Sequence, residues 1–330
     1  MRVVCVGSGS IGMLYAGRLS AAGAAVTLVT RTGEQADRLN AEGLELVEGR
    51  QSVLSTVKAD RYRELEAPAA EAEADWLLLA VKQKHVTAGL ARWLANRMGA
   101  RTRLLCMQNG VGHVERLAQE VAPDRIYLAV TTEGARKDGL NRVCHTGRGV
   151  TRIGKAFPRS GATAAADKDA NAGASFDEIE NNLREMFVSA GFETFLSNNM
   201  DRFVWQKLLV NAVINPLTAL LGVTNGKLPQ MPESMELMDG LLAEGCEVAR
   251  TKGLGFETDE LKNELLAVCG KTALNRSSML QDLEAGRTTE IDWITGSLLR
   301  EAAKHKLELP VNRTIYALVK ARERSVVKER

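Results

Sequence analysis

Along the first half of the chain, short apolar runs alternate with stretches in which apolar residues recur every three or four positions. Arg2-Val3-Val4-Cys5-Val6 and Ala25-Val26-Thr27-Leu28-Val29-Thr30 have the length and β-branched content of buried parallel strands. Between them, Met13-Leu14-Tyr15-Ala16-Gly17-Arg18-Leu19 has helical spacing, so a strand, helix, strand unit is predicted there. Further strands are predicted at 43–47, 51–56, 76–81, 103–107 and 126–131, with helical or loop material such as 84–98 and 114–121 between them. The pattern then weakens. A strand at 149–153, a helix at 176–190 and a strand at 192–196 enclose a Gly/Ala/Ser/Asp-rich stretch, 158–175, almost devoid of large apolar residues. That stretch reads as a mobile surface insertion and takes no role in the chemistry. From about 199 onward nearly every segment is helical, at 234–252, 258–272, 277–284, 289–305 and 313–323.

The first of these helical segments departs from the rest. Val204-Trp205-Gln206-Lys207-Leu208-Leu209-Val210-Asn211-Ala212-Val213-Ile214-Asn215-Pro216-Leu217-Thr218-Ala219-Leu220 is apolar except on one face. Lys207, Asn211 and Asn215 stand at i, i+4 and i+8, and at ~100° per residue they drift only ~80° around the axis. A solvated face carries mixed charges, whereas one amine and two amides among Leu, Val and Ile mark a helix lining a wet cleft. Pro216 cannot donate to the carbonyl of Ala212, so the helix is expected to kink or end there.

Composition narrows the function classes. Lys+Arg 43 against Asp+Glu 41 leaves a net charge of +2, which gives no electrostatic case for nucleic acid or an anionic membrane. No uninterrupted apolar run reaches the ~20 residues that span a bilayer, and a strand begins at once after Met1, so a cytoplasmic protein is expected. The five cysteines are widely spaced and form no C-x-x-C pair, and the four histidines form no ligand spacing; reduced thiols and no metal site are expected.

The candidate chemistry begins where the first strand ends. Gly7-Ser8-Gly9-Ser10-Ile11-Gly12 has a strand before it and a helix after it, the context that a dinucleotide-binding G-x-G-x-x-G requires. Gly7 permits the tight turn, Gly9 lets the backbone approach a pyrophosphate, and Gly12 lets helix and strand pack, while the helix N-terminus offers free N–H groups. After the second strand, where an NAD site places Asp or Glu for the ribose 2′-hydroxyl, stands Arg31, flanked by Thr30 and Thr32. A guanidinium binds a 2′-phosphate bidentately, so NADPH/NADP+ is favoured over NADH. Lys82 and Gln108-Asn109-Gly110-Val111-Gly112 follow two further strands at the sheet edge where ligands of open α/β sheets sit, although Lys82 reads equally well as a solvated loop lysine and Asn109-Gly110 as a turn. The expected fold is therefore α/β, an N-terminal Rossmann-type doubly wound parallel sheet over 1–198 with the insertion at 158–175, followed by an all-α C-terminal domain over 199–330. Ser277 or Ser278 is explained by pattern alone as a helix cap, and Glu290 with Asp292 as carboxylates of a first helical turn.

Taken together, the glycine fingerprint, the Gln108–Gly112 run, Trp205-Gln206-Lys207-Leu208 with Asn211 and Asn215-Pro216-Leu217-Thr218-Ala219, and Ser277-Ser278-Met279-Leu280-Gln281-Asp282 with Thr289-Glu290-Ile291-Asp292 strongly resemble the ketopantoate reductase (2-dehydropantoate 2-reductase) family. The likeness runs from the first strand to about residue 312. It implies reduction of 2-dehydropantoate to (R)-pantoate with NADPH in pantothenate and coenzyme A synthesis, at a site between the two domains. Position by position, it makes Lys207 the catalytic lysine and Asn109, Asn211, Asn215, Asn225 and Ser278 substrate contacts. Glu290 matches the glutamate near the nicotinamide ribose and the lysine; Arg31, Lys82, Asn109 and Ala135 match positions at the cofactor. The departures are the insertion and Glu133 in Thr131-Thr132-Glu133-Gly134. The chemistry suits these residues, because an ammonium at Lys207 can stabilise negative charge on a carbonyl oxygen and then protonate it. Lys207 and Asn215 lie ~12 Å apart along the axis, so Asn215 acts from the edge of the site or through water. A dehydrogenase for another 2-keto or hydroxy acid, and a non-enzymatic NADPH sensor, are the competing expectations. A homodimer is possible, without a heptad seam to define it.

Overall fold

The computed structural model describes residues 1–64, 73–157 and 176–326, so the expected insertion at 158–175 lies outside the described residues. Two compact units are present, one formed by Met1–Gln108 with His113–Phe203 and the other by Asn109–Gly112 with Val204–Arg330.

The first unit begins β1 (Arg2–Val6), α1 (Ser10–Ala21), β2 (Ala25–Thr30), α2 (Gly33–Glu42), β3 (Leu44–Glu48), β4 (Gln51–Ser55), β5 (Lys58–Arg61) and β6 (Trp76–Leu79). It continues with α3 (Ala88–Ala95), β7 (Arg103–Cys106), α4 (His113–Leu117), β8 (Ile126–Thr131), β9 (Gly134–Lys137), β10 (Arg142–Gly147), β11 (Val150–Lys155), α5 (Glu178–Ser189) and β12 (Glu193–Leu196). The described strands form an eight-stranded sheet in the order β12-β11-β8-β7-β6-β1-β2-β5 and a four-stranded sheet in the order β4-β3-β10-β9. The large sheet is parallel except where β11 meets β8. Its order reverses at β1, with β2 on one side and β6 on the other, and such a switch point opens a crevice beyond the carboxyl ends of these strands.

The apolar residues of α1 have two partners to satisfy. The helix packs on both sheets, which buries Met13, Leu14, Tyr15, Ala16 and Leu19 around most of its circumference. Tyr15 stacks on Phe192 with ring centroids 4.1 Å apart, and its hydroxyl lies 2.9 Å from Thr131 Oγ1 and 2.6 Å from Thr151 Oγ1. A buried aromatic body with a satisfied polar tip thus fixes α1, and with it the loop that precedes α1.

The helical unit is built around α6 (Met200–Leu221), whose first turn belongs to the first unit, with α7 (Pro232–Thr251), α8 (Thr258–Lys271), α9 (Ser278–Glu284), α10 (Thr295–Lys304) and α11 (Pro310–Val326). Length and composition would let α6 cross a membrane, yet 67% of that apolar window is buried in the protein. Gly245 on α7 lets the helices approach closely, since a Cβ there would stand 2.6 Å from Leu209 Cδ2. The Glu244 carboxylate accepts from the backbone N–H groups of Val311 and Asn312, which pins the start of α11 to α7.

Several expectations need correction. Residues 43–47 and 51–56 do form strands, but β3 and β4 leave the main sheet and pair with each other, with β3 also alongside β10. The place beside β2 goes to β5, whose Lys-Ala-Asp-Arg sequence buries only Ala59 and so offers no apolar run to read. The helical or loop material expected at 84–98 and 114–121 does hold helices, α3 after a 3-10 turn at Gln83–His85 and the five-residue α4. Of the two outcomes expected at Pro216, a kink or an end, the end does not occur, and α6 continues to Leu221. A mid-helix proline costs about 3 kcal/mol, whereas burying Leu208, Leu209, Val213 and Leu217 contributes roughly 1.5–3 kcal/mol each. The Thr218 hydroxyl also donates to the Ile214 carbonyl at 2.7 Å, just past the interruption. Packing outweighs the local signal. Lastly, residues 289 and 290 are irregular and 291–294 form turns rather than a first helical turn, because the Thr289 N–H and hydroxyl both donate to Glu323 Oε1 at 2.6 Å and hold the chain there until α10 begins.

Candidate active site

In the first unit the glycine loop joins β1 to α1. Gly7 has φ +116°, and a Cβ there would stand 2.9 Å from the Ala80 carbonyl carbon and the Val81 nitrogen, so both conformation and space demand glycine. A Cβ at Gly12 would overlap the Gly7 carbonyl oxygen. Gly9 differs: a Cβ there would meet nothing within 4 Å, and no side chain caps α1. Free N–H groups facing open space make an anion cradle. Ser8 is buried and donates to Gln35 Oε1 at 2.7 Å, Ser10 Oγ accepts from the Lys137 N–H at 3.0 Å, and Ile11 is half-buried.

Cations ring this loop. Arg31 is exposed directly after β2, and Lys82 is half-buried after β6. His85 is held below the ordinary histidine range by burial first, then by the charges of Lys84, Arg31 and Lys82. Lys137 is depressed by burial and by Arg31. Arg31 and Lys82 are therefore brought into one electrostatic neighbourhood, which suits a polyanion. Ala135 is half-buried on β9, two residues before Lys137 and paired with His145. Glu133 points elsewhere, with its buried carboxylate 2.6 Å from His145 Nε2.

The helical unit carries the second group. Lys207 and Asn211 are half-buried and Asn215 buried on α6. Burial pushes the Lys207 ammonium down to about 8, against the opposing pull of the Glu290 carboxylate. Glu290 is buried in the turn before α10, and its Oε2 accepts from Asn109 Nδ2 at 3.5 Å, in the Asn109–Gly112 segment that belongs to this unit. Asp292, two residues on, turns away to Tyr316 at 2.6 Å and Lys320 at 2.9 Å on α11. The two carboxylates that looked equivalent thus separate, one to the lysine and amides and the other to packing.

Asn225 opens a 3-10 turn, donates to Thr272 Oγ1 at 2.9 Å, and keeps its buried Oδ1 without a hydrogen-bond partner. An unmet buried acceptor beside α8 is a place where a ligand donor is favoured. Ser278 is exposed at the first position of α9, while Ser277 is the cap, accepting from Leu280 N at 3.1 Å and meeting Thr218 Oγ1 at 2.7 Å. Thr218 Oγ1 also lies 3.1 Å from the Asn215 carbonyl oxygen, so one hydroxyl links the asparagine face of α6 to the start of α9. Sequence pattern alone passes over Thr218, because a threonine in an apolar helix reads as filler. Lys137 has no sequence signal either, since its strand, Gly-Ala-Arg-Lys, is too polar to recognise. An amine of lowered pKa beside a carboxylate, with amides and a hydroxyl on neighbouring elements, can protonate an oxyanion and orient a small polar acid.

Known proteins share both units. Residues 3–157 match the family model described as ketopantoate reductase PanE/ApbA, and residues 199–323 match its C-terminal counterpart. The 2-dehydropantoate 2-reductase of Halobacterium salinarum is 33% identical over 98% of this chain and 99% of its own length. That of Bacillus subtilis is also 33% identical, over 99% of each. A crystal structure of a probable 2-dehydropantoate 2-reductase from Bacillus subtilis superposes with a TM-score of 0.76 at 32% identity, covering 98% of this chain and all of that one, 100%. D-mandelate dehydrogenase, in a ternary structure with NADH and anilino(oxo)acetate, reaches a TM-score of 0.87 over 99% of this chain and 100% of its own, but at 22% identity the likeness concerns the fold.

Proposed function

The chain belongs to the ketopantoate reductase family, and we propose that it reduces 2-dehydropantoate to (R)-pantoate with NADPH, in the cytoplasm, on the route to pantothenate and coenzyme A. Residues 1–198 serve as the NADP-binding domain and 199–330 as the catalytic domain. The observation that carries this reading is the Lys207 ammonium, lowered by burial to about 8 and held by the charge of Glu290.

When bound, NADPH supplies the hydride for the keto carbon. The chain's own residues do the remainder. The loop from Gly7 through Ser8, Gly9, Ser10 and Ile11 to Gly12 cradles the pyrophosphate, Arg31 takes the 2′-phosphate, and Lys82 and Ala135 border the cofactor. Lys207 donates a hydrogen bond to the keto oxygen and then its proton, leaving a neutral amine that solvent reprotonates. Glu290 keeps the amine charged at neutral pH and, with Asn109, would hold the nicotinamide ribose of a bound cofactor. Asn211, Asn215 and Asn225 orient the hydroxyl and keto groups, and Ser278 binds the carboxylate.

Loss of NADPH absorbance with ketopantoate, measured beside NADH and other 2-keto acids, tests the reading. Turnover of another keto acid in place of ketopantoate overturns the substrate. Binding of NADPH with no acid reduced overturns the reaction and favours the sensor. Arg31→Ala is expected to lower the NADPH-over-NADH ratio of kcat/KM by about tenfold or more, the worth of a charge-assisted hydrogen bond. In Glu290→Gln the Lys207 pKa loses the one contribution that raises it, so the alkaline limb of kcat/KM against pH is expected below about 8; a profile unmoved from wild type would refute the coupling.

A further inference from the structure

Gln35, in the first turn of α2, ties three segments together. Its Nε2 donates to the Ser8 carbonyl at 3.3 Å and to the Leu140 carbonyl at 2.7 Å, and its Oε1 accepts from the Ser8 hydroxyl. The β9–β10 hairpin is thereby docked against the glycine loop, on the side where β2 passes into α2. Lys137, the last residue of β9, reaches the same point: its N–H donates to Ser10 Oγ at 3.0 Å and its Nζ to the Ser8 carbonyl at 3.2 Å. The ammonium has three N–H donors and spends one on Ser8. Among the described residues, no carboxylate pairs with it. The charge that bears on it is that of another cation, Arg31, which together with burial depresses the amine.

A half-buried ammonium that feels an exposed guanidinium, with no carboxylate paired to it among the described residues, is disfavoured by an amount that an anion beside both cations reverses. Of the anionic groups on NADPH, the pyrophosphate belongs to the N–H groups from Gly9 into α1. The hairpin instead brings Lys137 to the Ser8, Gln35 and Arg31 side of the loop, where the adenosine ribose sits in this fold. Resting on the NADPH reading above, we propose that Lys137 is a second ligand of the adenosine 2′-phosphate and, with Arg31, sets the preference for NADPH over NADH. The burial and the Arg31 charge that press Lys137 toward neutrality are both offset once a dianion lies beside it.

The discriminating variant is Lys137→Gln, which keeps an N–H donor for the Ser8 carbonyl while removing the charge, compared with Lys137→Arg, which keeps both. Calorimetric binding of 2′,5′-ADP and of 5′-AMP reads the 2′-phosphate without catalysis, and binding of NADPH and NADH repeats the comparison on whole cofactors. Lys137→Gln is expected to lower the 2′,5′-ADP over 5′-AMP affinity ratio, and the NADPH over NADH ratio, by about tenfold. Lys137→Arg is expected within a few-fold of wild type. Equal weakening of both members of each pair overturns the proposal, because a structural or pyrophosphate role would act on both alike. Unchanged ratios in Lys137→Gln overturn it too. A wild-type protein that binds NADPH no better than NADH is a separate result, which overturns the cofactor reading underneath.

Discussion

Replacing Lys207 with alanine is expected to lower kcat/KM for ketopantoate by about 10²–10⁴-fold, the range for loss of a positioned general acid. The cause is electronic as well as geometric. Burial has already brought the ammonium down to about 8, where it gives up a proton far more readily than an ordinary lysine, while Glu290 keeps it charged at neutral pH. In the wild type, kcat/KM for reduction should therefore be level below about 8 and fall as the pH rises through that value, since only the protonated amine serves as acid. The variant should lose this limb along with the rate. Dinucleotide binding measured in parallel separates the reading from a folding defect: Lys207→Ala that still binds NADPH yet retains wild-type turnover would sink the general-acid role.

A second large effect separates two glycines of one motif. Gly9→Ala is expected to weaken NADPH binding by at least tenfold and leave the melting temperature near that of wild type, because the added methyl meets no protein atom within 4 Å and occupies the space that the pyrophosphate needs. Gly12→Ala is expected to destabilise the fold itself. Its methyl would overlap a backbone oxygen, Gly7 O, which no side-chain rotation relieves, and would also stand 3.2 Å from Ala80 Cβ. Overpacking costs about 1–3 kcal/mol in ordinary cores and more against rigid backbone, so a loss of roughly 5 °C or more in Tm is expected for a domain of this size. Calorimetric melting and NADPH titration of both variants check the contrast. Equal Tm losses would show that Gly9 is structural; tight NADPH binding by Gly9→Ala would remove the pyrophosphate from this loop.

The parts of the candidate site legible in the sequence are those that local spacing defines. The glycine run needs only its flanking strand and helix, and Lys207, Asn211 and Asn215 share a face by helical period alone. Other residues had no local signature. Glu290 and Asp292 stand two apart and look alike in pattern. Glu290 acts on Lys207 and Asn109, whereas Asp292 is bound by Tyr316 and Lys320, and the partners lie far away in the chain. Ser277 and Ser278 are neighbours of the same kind, yet the first is consumed by Leu280 and Thr218 and the second left exposed. Lys137 sits on a strand whose Gly-Ala-Arg-Lys sequence carries no strand signal, because the β9–β10 hairpin is stabilised by its neighbours rather than by its own apolar residues.

By itself, then, the sequence determined the α/β plan of the first unit, the helical character of the second, and the identity of the glycine loop and the polar face of α6. Each follows from period, length and steric rules that act within a few turns of chain. Only the tertiary structure decided that β3 and β4 leave the main sheet, that α6 passes through Pro216, and which of two neighbouring carboxylates or serines is available for chemistry. Those outcomes depend on burial and on partners distant in sequence, and where a packed core contributes several kcal/mol it overrides a local preference of about 3 kcal/mol or less.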